Sequence, residues 1–282
     1  MENLLVRIDE IKFEVNPFQF TGIWNHIATG KWEPETFSVF KNFIEETDVV
    51  IDIGSWAGPL TIYAAHLCKF VHSIDPDPVI FKQLLHNVNL NPKINSKVKC
   101  YNLTVWNTSI TQTLYSRNVF GDSASSLIQR TRDGNEKTSV PATSIKDFLE
   151  NEKIEKVDFV KMDIEGAEFF ILPFIKDELI GLGFPTLLVS FHTEYLLEYF
   201  FQQRFKNKLL SKILFKICRE FGVNLFSQKI ARTISESVKQ LIDYKFTYET
   251  NGVPIRQADL PNYIRRNRTT NIVFTNKNWR AN

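Results

Sequence analysis

Asp158–Glu168, which reads DFVKMDIEGAE, is the stretch that decides the fold of this chain. It begins as an apolar strand and ends in a glycine and several charged residues. In open α/β sheets, ligands bind at the carboxyl ends of the strands, where such a stretch would deliver its carboxylates. An ordinary buried strand before the first turn of a helix would also suit Glu165 and Glu168, because the helix dipole favours acids there. A second motif upstream favours the ligand-binding interpretation.

The second motif is a strand, a turn and a helix. Val49–Gly54 is an apolar run that ends in Asp-Ile-Gly, Ser55–Gly58 follows as the turn, and Leu60–Leu67 has the pattern of a helix. Gly54 permits a tight turn and close approach of the backbone to a ligand, and the helix amides beyond it attract anions. The turn lacks both the G-x-G-x-x-G pattern and the Gly-Lys-Ser/Thr of a P-loop. An NAD-dependent oxidoreductase is therefore the weaker interpretation.

Asp75 ends the next apolar run, Phe70–Asp75. It lies about twenty residues beyond the glycine turn, the spacing at which a carboxylate meets the ribose hydroxyls of a nucleotide. The alternative is a turn residue that precedes Pro76.

Three segments resemble motifs of the FkbM family of class I S-adenosylmethionine-dependent methyltransferases. They are DIGSWAG at 52–58, IDPDP at 74–78 and KMDIEGAE at 161–168, the last being the family's most distinctive signature. The segments WEPET at 32–36, SASSL at 123–127 and VPATSI at 140–145 also sit where the family has similar ones. The family often has Asn in place of Trp56 and an acid in place of Ser190. The resemblance covers roughly residues 30–192.

Strands and helices alternate along the chain. Strands are predicted near 48–53, 69–74, 97–103, 157–163 and 185–191, and helices near 58–68, 77–89, 144–150 and 167–181. This alternation indicates an α/β fold with a parallel sheet and helices on both faces. The resemblance implies a Rossmann-like class I methyltransferase with a seven-stranded, mostly parallel sheet. Two C-terminal strands, near 244–249 and 271–275, would complete that sheet as a hairpin.

The predicted domains are an N-terminal extension over 1–46 and a methyltransferase domain over 47–282 with a helical insertion near 194–230. Within the extension we expect a small β unit over Leu4–Val15 and a helix over Pro34–Glu45. The polar stretch 107–138 is predicted to be a long loop or hairpin at the ligand edge.

The resemblance implies S-adenosylmethionine as the cofactor. Its methionine end is expected over Gly54 and Ser55, with Asp75 at the ribose. The residues assigned to the cofactor are Asp52, Gly54, Ser55, Gly58, Asp75, Pro76 and Thr104.

Methyl transfer to an alcohol needs a group that removes the hydroxyl proton. Asp163 and Glu165 end one strand, and His192 ends a strand that should be its neighbour. We assign these three residues and Lys161 to catalysis, with Lys161 either neutralising the carboxylates or orienting the acceptor. Asp163 and His192 would be the ligands of a divalent metal such as magnesium or manganese. A structural role for His192 is the alternative.

Residues 194–230 form a basic, amphipathic, helical pattern in which aromatic and aliphatic residues alternate with Lys and Arg. An insertion packed on the core, with cations whose stems cover apolar surface, is one interpretation. A cap over the acceptor, a dimer face or a contact with an anionic membrane are the others.

Composition excludes several classes of protein. The chain has 34 Lys and Arg against 32 Asp and Glu, a net charge of +2, which does not favour a nucleic-acid partner. We find no signal peptide and no apolar run that spans a bilayer, and three scattered cysteines indicate neither a disulfide framework nor a zinc site. These features predict a cytoplasmic location and leave the oligomeric state open.

The sequence therefore favours an O-methyltransferase that acts on a hydroxyl of a sugar, glycan or secondary metabolite. Methylation of RNA or protein is the alternative, motivated by the basic insertion and by Arg265 and Arg266. The chain lacks the Asn/Asp-Pro-Pro-Tyr/Phe motif used for amino-nitrogen acceptors. A third interpretation, motivated by Trp56, is a non-catalytic scaffold with an altered cofactor loop.

Overall fold

The computed structural model describes residues 2–221 and 225–280. Its strands are β1 (Leu4–Ile8), β2 (Ile11–Val15), β3 (Val49–Ile53), β4 (Phe70–Ile74), β5 (Val98–Tyr101), β6 (Thr104–Val105), β7 (Gln112–Tyr115), β8 (Lys137–Val140), β9 (Ala142–Thr143), β10 (Phe159–Met162), β11 (Thr186–Phe191), β12 (Phe246–Glu249) and β13 (Thr270–Thr275). Its α-helices are α1 (Thr21–Ala28), α2 (Pro34–Phe43), α3 (Pro59–Leu67), α4 (Pro78–Asn89), α5 (Ile145–Glu152), α6 (Glu168–Ile171), α7 (Lys176–Gly181), α8 (Thr193–Arg204), α9 (Lys208–Glu220), α10 (Ser227–Val238) and α11 (Leu260–Arg266).

Seven strands form the central sheet in the order β12–β13–β11–β10–β3–β4–β5. The five strands from β11 to β5 are parallel, and β13 pairs antiparallel with both β11 and β12. The predicted Rossmann-like class I methyltransferase fold is therefore confirmed, including the C-terminal hairpin. The strand order reverses direction at β3, whose neighbours are β4 and β10, and such a switch point is where open α/β sheets bind ligands.

Alternating side chains of the central strands enter two cores. Ile51 and Ile53 of β3 belong to one core, which also holds α5, α6, α8 and α10 residues, whereas Val50 belongs to the other. The second core holds residues of α2, α3 and α4. This is the period-two alternation of a strand that is covered by helices on both faces.

The N-terminal extension packs onto the second core. β1 and β2 form an antiparallel hairpin where a small β unit was expected, and α2 occupies the expected helical region. Val6, Phe13 and Trp24 are all buried in the same core as Val50. The boundary at residue 46 stays a prediction, since this segment and the sheet share one core.

The predicted insertion is helical where the structure describes it. α8 and α9 pack against each other, and α10 packs against α6 and α11. Residues 222–224 of the predicted insertion lie outside the described residues. None of the described helices is both long enough and apolar enough to cross a membrane.

Candidate active site

A cavity lies at the carboxyl ends of β3, β4 and β10, at the switch point of the sheet. Strand-end residues of its wall are Gly54, Ser55, Asp75, Pro76, Lys161, Asp163 and Glu165. Ser123, Ser125 and Ser126 of the β7–β8 connection and Trp32 and Glu33 before α2 close it. The expected position of the polar stretch at the ligand edge is thus the observed one.

Gly54 allows the ends of β3 and β10 to approach each other closely. Its φ is +80°, and a Cβ at this position would lie 1.8 Å from the backbone oxygen of Asp163. A side chain could not be accommodated without moving one strand end. Gly54 therefore sets the width of the cavity between the glycine turn and the carboxylates of β10.

Asp75 is held by the backbone of both neighbouring turns. Its Oδ2 accepts a hydrogen bond from the Trp56 N–H at 2.9 Å, and its Oδ1 accepts one from the Asp77 N–H at 2.9 Å. Burial raises the pKa of Asp75 to about 7, although these hydrogen bonds act in the opposite direction. Each carboxylate oxygen has a further lone pair, so Asp75 can still accept hydrogen bonds from a ligand.

Lys161 crosses the floor of the cavity and neutralises two acids. Its Nζ donates to the Gly54 carbonyl at 2.7 Å and lies 3.3 Å from Asp52 Oδ1 and 3.8 Å from Asp163 Oδ2. Burial lowers the pKa of Lys161, but the charges of Asp52 and Asp163 outweigh it and leave the pKa raised. Lys161 is therefore a fixed cation, which is the first of the two roles considered from the sequence.

His192 sits among three carboxylates. Its Nε2 lies 3.6 Å from Asp163 Oδ1 and 3.9 Å from Glu165 Oε1, and its Nδ1 lies 3.2 Å from Glu168 Oε1. The Tyr195 ring stacks on the imidazole with the ring centroids 5.3 Å apart. The adjacency of these residues follows from the sheet, because β10 and β11 are parallel neighbours.

A strained turn brings Glu165 to His192. Glu165 has a φ of +59°, which is costly for a residue with a side chain, and Gly166 follows with a φ of +98°. The Oε2 of Glu165 lies 3.8 Å from Nη1 of the buried Arg130. Arg130 also stacks on the Tyr195 ring, at 4.5 Å from its centroid.

The charges of this cluster divide the chemical roles. Burial lowers the pKa of His192, but Glu165, Glu168 and Asp163 outweigh burial and raise the pKa to about 10. Burial raises the pKa of Glu165 to about 7, and the charge of His192 opposes that rise. At neutral pH the imidazole is a cation and a hydrogen-bond donor, whereas Glu165 is poised to accept a proton.

A family model described as "Methyltransferase FkbM domain" matches residues 48–222, which is more than half of the 282-residue chain. The chain belongs to the FkbM methyltransferase family. The matched residues run from the start of β3 through α9.

This FkbM methyltransferase is similar to other methyltransferases over shorter or more divergent stretches. It is 36% identical over 103 residues to a tRNA (guanine(37)-N(1))-methyltransferase of Ciona intestinalis, a match that covers 36% of this chain and 20% of that relative. A crystal structure of methyltransferase FkbM from Methylobacillus flagellatus KT shares 16% identity at a TM-score of 0.37, covering 61% of this chain and 43% of that one. The M. jannaschii protein TYW2 in complex with AdoMet shares 13% identity at a TM-score of 0.40, covering 96% and 83%. The chain thus spans about a fifth of the length of the Ciona relative.

Two of the residues assigned to the cofactor lie behind the cavity wall of the FkbM domain. Asp52 is fully buried, and its Oδ2 accepts a hydrogen bond from Thr61 at 2.6 Å. Gly58 is the N-cap residue that precedes α3, with a φ of +93°, and a Cβ there would lie 2.8 Å from the Leu84 side chain. Gly54, Ser55, Asp75, Pro76 and Thr104 line the cavity itself.

Three residues of the FkbM site were not predicted from the sequence. Glu33 enters the cavity from a left-handed position before α2, where burial and the charge of Asp163 raise its pKa. Asp77 caps α4 through Oδ1, while its Oδ2 accepts hydrogen bonds from the Gly121 N–H and the Ser125 hydroxyl. Arg130 comes from the polar connection between β7 and β8. Only Asp77 had a usable local signal, the Asp-Pro pair at a helix start.

The side chains of Asp163, Glu165 and His192 fit a divalent cation. One ligand atom from each residue lies within 4.8 Å of the other two, and ligands about 2.1 Å from one ion lie about 3–4 Å apart. Asp163 Oδ1 is buried and has no hydrogen-bond partner in the described part of the chain. Glu168 holds the opposite nitrogen of His192, as carboxylates do behind metal-bound histidines.

Proposed function

We propose that this FkbM methyltransferase transfers a methyl group from S-adenosylmethionine to a hydroxyl of a sugar, glycan or secondary metabolite. The observation that carries the proposal is the placement of Glu165 and Asp163 beside a cationic His192 at the edge of the cofactor cavity. An alcohol must lose its proton to become a good nucleophile. A poised carboxylate at the methyl acceptor position meets that need.

The cofactor would occupy the cavity at the switch point. Gly54 and Ser55 would hold its methionine end, and Asp75 would accept hydrogen bonds from its ribose hydroxyls. Pro76 and Thr104, which also line the cavity, would contact the nucleoside. Asp52 and Gly58 would act indirectly, by fixing Lys161 and the start of α3.

The transfer itself is a direct displacement. The acceptor hydroxyl gives its proton to Glu165, and its oxygen forms a bond to the methyl carbon as the carbon–sulfur bond breaks. The bound cofactor would supply the methyl group on a sulfonium that becomes a neutral thioether on transfer, while His192 keeps the carboxylates in place. Position and proton removal are the work left to the protein, because the methyl group is already activated.

A divalent cation is a further element of the proposal. Magnesium or manganese would be held by Asp163 and His192, with Glu165 as a third ligand. When bound, such an ion would lower the pKa of the acceptor hydroxyl. His192 must be neutral to bind a metal, so metal binding excludes the imidazolium. Loss of activity on addition of a chelator would indicate the metal-bound form, and unchanged activity would indicate the imidazolium.

The outer face of α9 is suited to an anionic membrane. Leu209, Ile213 and Ile217 are exposed on one side of the helix. Residues 204–229 contain seven Lys and Arg and one Glu, a net charge of +6, whereas the whole chain carries +2. Basic amphipathic helices with exposed apolar stripes bind anionic bilayers, so we infer a peripheral contact that would present a membrane-bound acceptor.

RNA is the second candidate acceptor. The name of the Ciona relative favours it, and so do Arg265, Arg266 and Arg268 at the ligand edge. The balanced charge of the chain is unlike that of most nucleic-acid-binding domains.

We also propose a cytoplasmic location. It is supported by Cys68, Cys100 and Cys218, which are all free thiols.

Transfer of radiolabelled methyl groups tests the proposal. The purified protein is incubated with labelled S-adenosylmethionine and, in parallel, with methyl glycosides, oligosaccharides or unmodified tRNA, and mass spectrometry locates the methyl group in each product. We expect an O-methyl ether on a saccharide and no label in tRNA. Label on a base nitrogen of tRNA would overturn the proposal in favour of the second candidate.

A further inference from the structure

A second cavity lies on the ligand edge, between the insertion and the C-terminal helix. Four arginines line it, with Arg219 at the end of α9 and Arg265, Arg266 and Arg268 at and beyond the end of α11. Thr193, which follows His192 directly in the sequence, also lines this cavity. The arginine cavity and the catalytic cluster therefore adjoin the end of the same strand, β11.

Positive charge in the arginine cavity is mostly uncompensated. The one carboxylate on the wall, Glu194, lies 2.7 Å from Arg132 Nη2 and 3.5 Å from Arg219 Nη1. Within residues 2–221 and 225–280, no carboxylate lies within ion-pair distance of Arg265, Arg266 or Arg268. Cations are favoured at the C-terminus of a helix, which accounts for Arg265 and Arg266 in the last turn of α11, but Arg219 of α9 lines the same cavity and belongs to another helix.

The backbone around these arginines is fixed. The Arg268 carbonyl accepts a hydrogen bond from the Glu194 N–H at 3.1 Å, and the Asn267 amide donates to the Tyr263 carbonyl at 2.8 Å. Thr193 donates its hydroxyl to the Ile264 carbonyl at 3.1 Å. The cations are thus presented by an ordered support, and the floor of the cavity is apolar, formed by Leu197, Phe215 and Ile230.

We propose that the arginine cavity binds a phosphate or diphosphate group carried by the methyl acceptor. Arginine is the side chain best matched to phosphoryl oxygens, because its guanidinium donates paired hydrogen bonds. The apolar floor would receive the carbon skeleton to which the phosphate is attached. A single small pocket suits one phosphoryl group, whereas a nucleic-acid backbone requires a longer basic stripe.

This proposal rests on the proposed hydroxyl methylation in one respect: it takes the bound phosphate to be part of the methyl acceptor. Binding of the anion can be measured without methyl transfer, so the two proposals fail separately. Inorganic pyrophosphate is the probe, titrated into the full chain at low ionic strength by calorimetry. Arg265→Gln/Arg266→Gln removes two exposed cations of the cavity, and Arg232→Gln/Arg256→Gln removes two exposed cations elsewhere.

We expect pyrophosphate binding to weaken about tenfold or more in the cavity variant, since each arginine supplies charge-assisted hydrogen bonds. The control variant should bind pyrophosphate as the wild type does, and S-adenosylmethionine affinity should be equal in all three proteins. Equal pyrophosphate binding by wild type and cavity variant, or an equal loss in the control, overturns the proposal. If the double variant does not fold, Arg268→Gln replaces it with the same expected direction.

Two further arms identify the source of the phosphate. Glucose 1-phosphate represents a soluble acceptor, and vesicles of phosphatidylglycerol, compared with phosphatidylcholine, represent a lipid headgroup. Either ligand supports the proposal if its binding is lost in the cavity variant and kept in the control. Loss of tRNA binding in the cavity variant, with pyrophosphate binding unchanged, would instead favour RNA and overturn the small-phosphate assignment.

Discussion

Glu168 holds both the backbone and the side chain of His192. Its Oε1 accepts a hydrogen bond from the His192 N–H at 2.6 Å and lies 3.2 Å from His192 Nδ1. Its Oε2 accepts a further bond from the Gly166 N–H at 2.8 Å. One fully buried carboxylate therefore joins the strained turn after β10 to the end of β11.

Replacement of Glu168 with glutamine should lower the pKa of His192. The buried carboxylate favours the imidazolium, and the neutral amide does not. The pKa of His192, about 10 in the wild type, should move towards its ordinary value. Titration of the imidazole resonances by NMR measures the shift, with Glu155→Gln as an exposed control. An unchanged pKa of His192 would show that Glu168 does not contribute to holding the imidazolium beside Glu165.

Loss of a strand-end group should impair turnover without loss of the cofactor. Glu165→Gln should lower kcat by about 10²–10⁴, the range for a group that accepts the proton, and Asp163→Asn and His192→Ala should lower kcat because they displace that carboxylate. Calorimetry should show nearly unchanged S-adenosylmethionine affinity. Glu150→Gln, on exposed α5, is the matched control. If Glu165→Gln methylates the acceptor at the wild-type rate, the assignment of proton transfer to Glu165 is wrong.

The sequence was sufficient to predict the sheet and the proximity of Asp163 to His192. Strands β3, β4, β10 and β11 are apolar runs with acids, glycine or histidine at their ends, and parallel neighbours bring those ends together. Such patterns are local, so they are readable without knowledge of tertiary contacts.

The parts that were missed depend on long-range contacts. Glu33 reaches the cavity only because α2 packs against the sheet, and Arg130 reaches Glu165 only through the fold of the polar β7–β8 connection. Trp56 shows the same limit: its departure from the family pattern suggested an altered turn, yet its N–H donates to Asp75 and its ring stacks on Trp24. Trp56 therefore takes part in the turn through its backbone N–H, with a φ of +47° in the left-handed region.

Asp75 should make cofactor binding depend on pH. Ribose hydroxyls donate hydrogen bonds to the ionised carboxylate, and the pKa of Asp75 in the free protein is about 7 instead of the ordinary 3.8. Affinity for S-adenosylmethionine should therefore fall as the pH drops below about 7 and level off above it. Asp75→Asn should weaken binding about tenfold or more and abolish this dependence. Calorimetry between pH 5 and 8.5, a range that extends on the order of one pH unit or more to each side of the Asp75 pKa, measures the affinity and its pH dependence.

Asp122→Asn is the matched control, because Asp122 lines the same cavity but bonds to the Asn118 and Ala124 amides of its own loop. Its affinity and pH profile should follow those of the wild type. A pH-independent affinity in the wild type would mean that Asp75 does not meet the ribose.

Alanine at Gly54 should damage the protein more than alanine at Gly183. Both glycines have positive φ, +80° and +72°, so each substitution incurs the left-handed penalty of about 1–2 kcal/mol. Only at Gly54 would the new Cβ meet a backbone atom, the Asp163 oxygen at 1.8 Å, whereas nothing lies within 4 Å at Gly183. Urea unfolding should give an additional loss of about 1–3 kcal/mol for Gly54→Ala. Equal losses would mean that the strand ends separate freely.

The exposed apolar stripe of α9 should bind the protein to anionic vesicles. Ile213 and Ile217 are 47% and 44% exposed, and burial of such side chains in the interface adds to the attraction of the neighbouring lysines. The wild type should co-sediment with phosphatidylglycerol vesicles, less so at high salt, and hardly with phosphatidylcholine. Ile213→Asp/Ile217→Asp should lose this binding, whereas Ile110→Asp/Val119→Asp, an equal change of charge at other exposed apolar positions, should keep it. Equal sedimentation of both variants would rule out α9 as the membrane contact. If the wild type does not bind the vesicles but dimerises through this stripe, the stripe is an interface with a second copy of the chain.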